Sequence, residues 1–438
     1  MNISFIGLGK LGLCSAACFA AKGHNVIGVD NNETVIRQLA AGHCPIDETG
    51  LPELLEKARP NMHFTMDHAK AVRGSEATLI IVPTPSKADG AFTNEYVEQV
   101  LRQLAPALRE KQGFHIVNVV STIMPTSCEI VFRPLLEELT GKICGQDFGL
   151  VYNPEFIALG SVIHNFLNPD MVLIGASDVR SGAAIRELYA SMVDSSPAYA
   201  VMSLTNAEIT KLSLNCFVTM KVSFANELAA VCERVPGADV DVVTSAIGAD
   251  TRVGGKYLKG GLGFGGPCFP RDNLAFQRVA EKGGISVRLS PAVVGINRTV
   301  VERLEKAVRD AVPSGGTVAL LGLSYKAGTH IVEEAQPVML AERLLAQGYR
   351  VRLHDPKALP GLAATFAGKA ELCDDPYAAM AGARCIMLLT DWPQFHDLDW
   401  NRAERNAGED PVLVDCWRQL KGRSFTRFAY AAIGLGPK

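Results

Sequence analysis

The first thirty residues constrain the fold of this chain more than anything that follows. Ile3 to Ile6 read as a strand, Gly7-Leu-Gly9-Lys-Leu-Gly12 as a turn, the small-residue stretch to Lys22 as a helix, and Val26 to Val29 as a second strand ending at Asp30. That order is a βαβ unit, two parallel strands joined by a crossover helix. Gly7 permits the tight turn, Gly9 lets the backbone approach a diphosphate, and Gly12 allows the helix to pack close to the strand. Asp30 is placed to accept hydrogen bonds from a ribose hydroxyl and to repel a 2′-phosphate, so the unit predicts NAD rather than NADP. A purely structural turn is the alternative for so short a string.

Further apolar runs at Thr78 to Val82, Ile116 to Val120, Gly149 to Tyr152 and Met171 to Ile174 alternate with helical stretches such as Tyr96 to Leu108. Such alternation predicts a mostly parallel sheet with helices on both faces. From Thr205 to Cys232 the chain is free of breakers, with Ile209, Leu212, Cys216, Met220, Phe224, Leu228 and Val231 at helical spacing, which predicts one long helix. A glycine-rich loop from Gly254 to Gly266 and a helix from Pro291 to Val312 follow. After the break at Pro313 to Gly316 the opening pattern returns: strand Val318 to Leu321, Gly322, helix Val338 to Gln347, strand Val351 to Leu353, and Asp355. Runs at Cys385 to Leu389 and Val412 to Val414 extend it. Leu323 and Ser324 stand where the first unit continues to further glycines, so this second layer carries no dinucleotide fingerprint. The expected organisation is α/β, with two Rossmann-like doubly wound domains at 1–200 and 313–438 joined by a central helical segment at 201–312.

Charge and cysteine usage narrow the classes. Lys and Arg number 43 against 46 Asp and Glu, with no basic stripe to attract a nucleic-acid backbone. No window approaches the roughly 18 uninterrupted apolar residues of a membrane span. The N-terminus enters a strand directly, with no secretory signal before it, which predicts a cytoplasmic protein. The 11 cysteines form no C-x-x-C pair or Cys/His group at metal-ligand spacing, so no metal is expected. In a reducing compartment most are core residues, and one is a candidate nucleophile.

Three further stretches carry candidate chemistry. Gly260-Gly-Leu-Gly-Phe-Gly-Gly266-Pro-Cys268-Phe-Pro-Arg271-Asp272 places five glycines in seven residues just before a cysteine, a backbone able to wrap a polar ligand and present a thiol to it. The alternative is a flexible loop with a buried thiol. Asn153-Pro-Glu155-Phe156 follows a strand, where loops of an open α/β sheet present functional groups, and Glu155 there is a general base or a helix-cap carboxylate. Lys211 and Asn215 lie four apart on the long helix, hence on one face, although a lysine on an apolar helix ordinarily snorkels to solvent.

Together these stretches resemble the UDP-glucose/GDP-mannose 6-dehydrogenase family over nearly the full length. Gly7 to Gly12 with Asp30, Pro45-Ile-Asp-Glu48-Thr-Gly-Leu51, Thr84-Pro85, Ser121-Thr122, Asn153-Pro-Glu155-Phe, Asn168-Pro-Asp170 with Ile174-Gly175, Lys211 to Asn215, Gly265 to Asp272, and Gly322-Leu-Ser-Tyr-Lys326 carry the likeness. The resemblance implies an NAD-dependent four-electron oxidation of a nucleotide-sugar C6 alcohol to a carboxylate, by a homodimer paired through its central helix. The sugar is UDP-glucose first, with GDP-mannose or a UDP-N-acetylhexosamine as alternatives. A single-step hydroxyacid dehydrogenase and a non-catalytic sugar-nucleotide-binding protein are the competing classes.

By the same resemblance, Cys268 is the nucleophile that forms a thiohemiacetal and then a thioester. Lys211 and Asn215 offset charge on the substrate oxygen, Asp272 holds a water or accepts a proton, and Glu155 activates water for hydrolysis with Thr122 nearby. Gly7, Gly9, Leu11, Gly12, Asp30, Thr84, Thr122 and Arg271 are on the cofactor side. Glu155, Lys211, Asn215, Tyr257, Lys259, Gly265, Lys326 and Arg418 face the sugar nucleotide, and Arg252 resembles an arginine supplied across the dimer interface. The chain departs from the family pattern at Leu159, where a second Glu is common, at Arg271 in place of Lys, and at Lys10 in place of Tyr. After Lys326, the usual Asp-Asp-x-Arg-Glu-Ser-Pro becomes His330-Ile-Val-Glu333-Glu-Ala-Gln-Pro337, which exchanges a cofactor-side arginine for Glu333.

Overall fold

A computed structural model describes residues 1–157, 159–313 and 315–437. Ser314, inside the break expected at Pro313 to Gly316, lies outside the described residues. The chain divides into two compact units, Met1–Ser213 and Leu214–Lys438.

The first unit is built on eight strands: β1 (Asn2–Ile6), β2 (Asn25–Val29), β3 (Met62–Thr65), β4 (Ala77–Ile80), β5 (His115–Val119), β6 (Phe148–Tyr152), β7 (Met171–Ala176) and β8 (Ala198–Met202). Their order is β3-β2-β1-β4-β5-β6-β7-β8, and only the β6–β7 pair is antiparallel among these neighbours. Successive side chains of a strand point to opposite faces. Accordingly Ile3 and Phe5 enter one apolar cluster with Phe19 and Val26, and Ile6 enters another with Ile80, Leu101 and Leu104. Both faces are covered by helices, as a parallel sheet requires. The sequence reading missed β3 and β8, because each has half-exposed or exposed positions and neither forms a continuous apolar run.

The second unit repeats the topology. Strands β9 (Thr317–Leu321), β10 (Arg350–His354), β11 (Glu371–Leu372), β12 (Cys385–Leu388), β13 (Val412–Asp415) and β14 (Ala429–Ala432) form a sheet in the order β11-β10-β9-β12-β13-β14. This matches the first six strands of the first unit position for position, the doubly wound Rossmann order. The helices Val240–Ala249 and Phe269–Lys282, which periodicity did not reveal, precede the helix Leu289–Ala311. The predicted long helix runs Leu204–Cys232.

The two copies of the βαβ turn explain why only one carries a cofactor fingerprint. Gly7 N donates to Val29 O and Gly322 N donates to His354 O, each at 2.8 Å. The next residue then donates to the aspartate closing the second strand: Leu8 N to Asp30 Oδ2 at 2.8 Å, and Leu323 N to Asp355 Oδ2 at 2.7 Å. Asp355 is buried and also accepts from Ser324 N, Lys357 N, Ala358 N and the Trp392 indole. It is committed to the fold. Asp30 is half-buried and accepts one further backbone N–H, that of Asn32.

Candidate active site

The carboxyl edge of the first sheet gathers the predicted cofactor residues other than Arg271, which lies in the second unit. Gly7 adopts φ +95°, and a Cβ there would lie 2.1 Å from Ile81 O. A Cβ on Gly12 would lie 2.0 Å from Gly7 O, whereas one on Gly9 would meet nothing within 4 Å. Gly7 and Gly12 are therefore glycines for packing, and Gly9 leaves open space beside the turn. Helix Lys10–Ala21 begins at Gly9 with no side-chain cap and no acidic residue in its first turn. Its leading N–H groups and dipole suit a diphosphate, so the turn fits the NAD expected there. Leu11 sits in that first turn, and Lys10 is 3.9 Å from Glu48 Oε2. Alanine at position 12 would collide with backbone rather than a flexible side chain. The Gly12→Ala protein is expected to lose roughly 1–3 kcal/mol of stability and to bind NAD more weakly, as thermal melts with and without NAD would show.

Along the same edge, Thr84 Oγ1 donates to Thr122 O at 2.6 Å, and Ser121 Oγ donates to Val82 O at 2.7 Å. These bonds bring the ends of β4 and β5 together. Asn153 fixes the next loop, its amide donating to Leu173 O at 2.8 Å and its backbone N–H to Val119 O at 2.9 Å. Glu48 is buried and ties down the far end, accepting from Gly160 N and Val162 N at 3.2 and 3.0 Å. Leu159 packs on the apolar cluster around Phe19, so that departure from the family pattern adds core contact.

Within this loop, Glu155 Oε1 accepts a hydrogen bond from the Tyr189 hydroxyl at 2.6 Å. Tyr189 is held edge-on against Phe19, with ring centroids 5.5 Å apart, and lies beside Phe166. Desolvation raises the Glu155 carboxyl to about 7, against the opposing pull of the Tyr189 hydrogen bond and the Lys211 charge. Among the described residues the Glu155 carboxylate is engaged by a phenol and not by helix N–H groups, in contrast to the helix-cap alternative. Lys211 Nζ donates to Glu155 O at 2.7 Å and lies 4.4 Å from the centre of the Phe156 ring. At 6% exposure it is no snorkelling surface residue. One turn earlier, buried Glu208 accepts from Thr126 N at 2.5 Å and Cys128 N at 2.8 Å, anchoring the helix to the loop after β5. Thr126 there takes φ +76°, a conformation unusual for a branched residue.

In the second unit the predicted nucleophile lies at a helix start. Cys268 is exposed and occupies the N-cap position of helix Phe269–Lys282, where helix N–H groups favour negative charge. Of the other cysteines, seven are buried and Cys44, Cys144 and Cys216 are half-buried. Burial pushes the Cys18, Cys216 and Cys385 thiols up to about 12. One turn into the helix, Asp272 donates its N–H to Cys268 O at 2.9 Å and accepts from Asn215 Nδ2 at 2.5 Å. Asn273 Nδ2 donates to Thr219 Oγ1 at 2.9 Å, a second rung between this helix and the long one. Arg271 is half-buried in the same first turn.

The glycine loop is not the flexible segment of the alternative sequence reading. A Cβ at Gly260, Gly261, Gly263, Gly265 or Gly266 would come within 2.0 to 2.8 Å of the chain's own atoms. The glycines are there because the loop is packed tightly against its own protein. Arg418 explains one contact: its guanidinium donates to both Asp241 oxygens, to Gly260 O and to Ile433 O, all within 2.7–2.8 Å. Lys259 lies 5.6 Å from the Trp417 ring centre. Tyr257, at φ +61°, sets its ring edge-on to Phe269 with centroids 6.2 Å apart. Arg252 is exposed and paired with Asp250 at 2.6 Å. Half-buried Lys326 follows Tyr325, whose ring a Cβ on Gly266 would strike at 2.8 Å, and Gly265 lies against Glu334 O. Tyr189, Glu48, Glu208 and Asp241 were not among the predicted site residues. Their partners stand 34 to 177 residues away at no recognisable spacing.

A dinucleotide turn at the carboxyl edge of a Rossmann sheet defines a class of NAD-dependent dehydrogenase. Sequence models of the UDP-glucose/GDP-mannose dehydrogenase family match at residues 1–193 (NAD binding domain), 205–299 (central domain) and 319–422 (UDP binding domain). The chain belongs to that family and is an NAD-dependent nucleotide-sugar dehydrogenase. It is 34% identical to a UDP-glucose 6-dehydrogenase of Haloferax volcanii, over 95% of this chain and 96% of the relative. It is 35% identical to one of Pseudomonas aeruginosa, over 95% and 93%. The solved UDP-glucose dehydrogenase of Pyrobaculum islandicum superposes with a TM-score of 0.89 at 33% identity, covering 99% of this chain and 98% of that one.

Proposed function

We propose that the chain oxidises the C6 hydroxymethyl of UDP-glucose to the carboxylate, with Cys268 as covalent nucleophile. Similarity to several UDP-glucose dehydrogenases supports the sugar, and exposed Cys268 at a helix start carries the four-electron reading. NAD, when bound at the Gly7–Gly12 turn, supplies the hydride acceptor for both oxidations. Lys211, kept buried by Glu155 O and the Phe156 ring, offsets negative charge on the C6 oxygen as its proton leaves. The Asn215–Asp272 pair orients the water or takes that proton. The aldehyde has no tetrahedral carbon from which a hydride can depart, so the Cys268 thiolate adds to it and restores one. After the second oxidation the product remains a thioester, and Glu155 takes a proton from the water that hydrolyses it.

The reading divides the chain into 1–200 for the cofactor, 201–312 for the thiol loop and the dimer helix, and 313–438 for the sugar nucleotide. Tyr257, Lys259, Gly265, Lys326 and Arg418 belong to the sugar-nucleotide side, Arg418 through Gly260. Phe217, Phe224 and Val231 are exposed at intervals of seven on the long helix, which suits a homodimer in which Arg252 reaches the partner. Among the described residues no helix is long and apolar enough to cross a membrane, and the cytoplasm is the proposed location.

A panel of nucleotide sugars with NAD tests the reading. UDP-glucose is expected to be the preferred substrate, yielding two NADH and one uronate per sugar. One NADH with free aldehyde would overturn the four-electron mechanism, and a preference for GDP-mannose or a UDP-N-acetylhexosamine would overturn the substrate.

A further inference from the structure

The loop that precedes Cys268 has neither helix nor strand, yet its backbone is held almost residue by residue. Three side-chain amides, from three helices, do this. A carboxamide carries a donor and an acceptor, so it can pair with a peptide as a neighbouring strand would. Asn226, buried on the helix Leu204–Cys232, accepts from Gly261 N at 2.8 Å and donates to Leu262 O at 3.2 Å. Asn297, on the helix Leu289–Ala311, accepts from Phe264 N at 2.8 Å and donates back to Phe264 O at 2.9 Å. Gln336, buried at the start of the helix Gln336–Ala346, accepts from Gly263 N at 2.7 Å and donates to Asn297 O at 2.8 Å. Gln336 thereby ties the loop at Gly263 to the backbone of Asn297, the second clamp.

The glycine pattern fits this ladder. A Cβ on Gly263 would lie 2.0 Å from Asn297 Oδ1 and 2.4 Å from Gln336 Nε2, so the amides could not reach the backbone past any other residue. The ladder continues into the segment that departs from the family pattern, where Gly266 N donates to Glu333 O at 3.0 Å. That segment, His330 to Pro337, thus supplies Gln336 and a backbone carbonyl to the thiol loop in place of the arginine it lacks.

We infer that Gln336 and Asn297 are positioning residues for Cys268. They fix the path of Gly263 and Phe264, five and four residues before the thiol, so that it meets the aldehyde at attack distance. The inference rests on Cys268 being the nucleophile. It separates the two oxidations: the first needs no thiol, and the second does.

In the full-length enzyme, Gln336→Leu is expected to slow the aldehyde-to-carboxylate half roughly 10- to 100-fold, the scale of a misplaced reacting group. Alcohol oxidation and the KM for NAD should stay within about two-fold, because the first oxidation makes no use of the thiol. Aldehyde should escape to a hydrazine trap, and iodoacetamide should alkylate Cys268 of the substrate-free protein at an altered rate. Gln336→Glu keeps the acceptor for Gly263 N and loses the donor to Asn297 O, so it should fall between wild type and Gln336→Leu. It also decides the matter if the leucine variant does not fold. Equal slowing of both oxidations, or unchanged alkylation and no trapped aldehyde in a folded variant, overturns the inference. Cys268→Ser assayed alongside separates the two claims. If it still makes uronate, the nucleophile assignment fails; if it makes none while the Gln336 variants behave as wild type, only the positioning role fails.

Discussion

Cys268→Ser is expected to abolish carboxylate formation, by on the order of 10³-fold or more, while leaving NAD binding nearly intact. The size follows from the chemistry of the second oxidation. An aldehyde carbon must gain a fourth substituent before it can release hydride, and a serine hydroxyl is a far weaker nucleophile than a thiolate at neutral pH. No other cysteine offers a substitute. Cys216, the one that reaches Asp272, directs its Sγ at Asp272 O, is half-buried, and is pushed up to about 12 by burial. The NAD turn lies in residues 7–12, so cofactor titration should be unchanged. Uronate measured against NADH is the assay, and undiminished uronate would refute the assignment.

Much of this was legible in the sequence, for a physical reason. A Rossmann turn is dictated locally: Gly7 needs φ +95° and Gly12 needs its Cβ absent, so both show as glycines beside a strand. Cys268 and Asp272 are four apart at the start of one helix, a spacing any reader can count. What stayed hidden depends on distant partners. Lys211 reads as a surface lysine until Glu155 O and the Phe156 ring are seen to enclose it. The glycines at 260–266 announce a special backbone, but not whether it wraps a ligand or packs on its own protein. That answer lies in Asn226, Asn297, Gln336 and Arg418, up to 158 residues away. The edge strands β3 and β8 were missed because half-buried strands lack a continuous apolar signal.

Glu155→Gln is expected to slow thioester hydrolysis by roughly 10²–10⁴-fold, the usual weight of a general base. Acyl-enzyme should then accumulate on Cys268 after the second NADH has formed, visible as a mass increase on the intact protein. The native carboxyl, raised by desolvation to about 7, gives the same step a pH signature. Below that value Glu155 is protonated and cannot take a proton from water; above it the carboxylate can. Hydrolysis should therefore rise with pH through about 7 and then level off. The linkage to stability runs the other way. A carboxyl whose pKa is higher in the folded than in the unfolded state favours folding at low pH, and that contribution is lost as pH rises through about 7. Tyr189 separates the electrostatic cause from a merely structural one, because its hydroxyl stabilises the charged form of Glu155. Tyr189→Phe removes that bond and keeps the ring against Phe19, so the hydrolysis limb should move to higher pH while the first oxidation keeps its rate. If Glu155→Gln releases product quickly, or Tyr189→Phe leaves the limb in place, the base that activates water is another group.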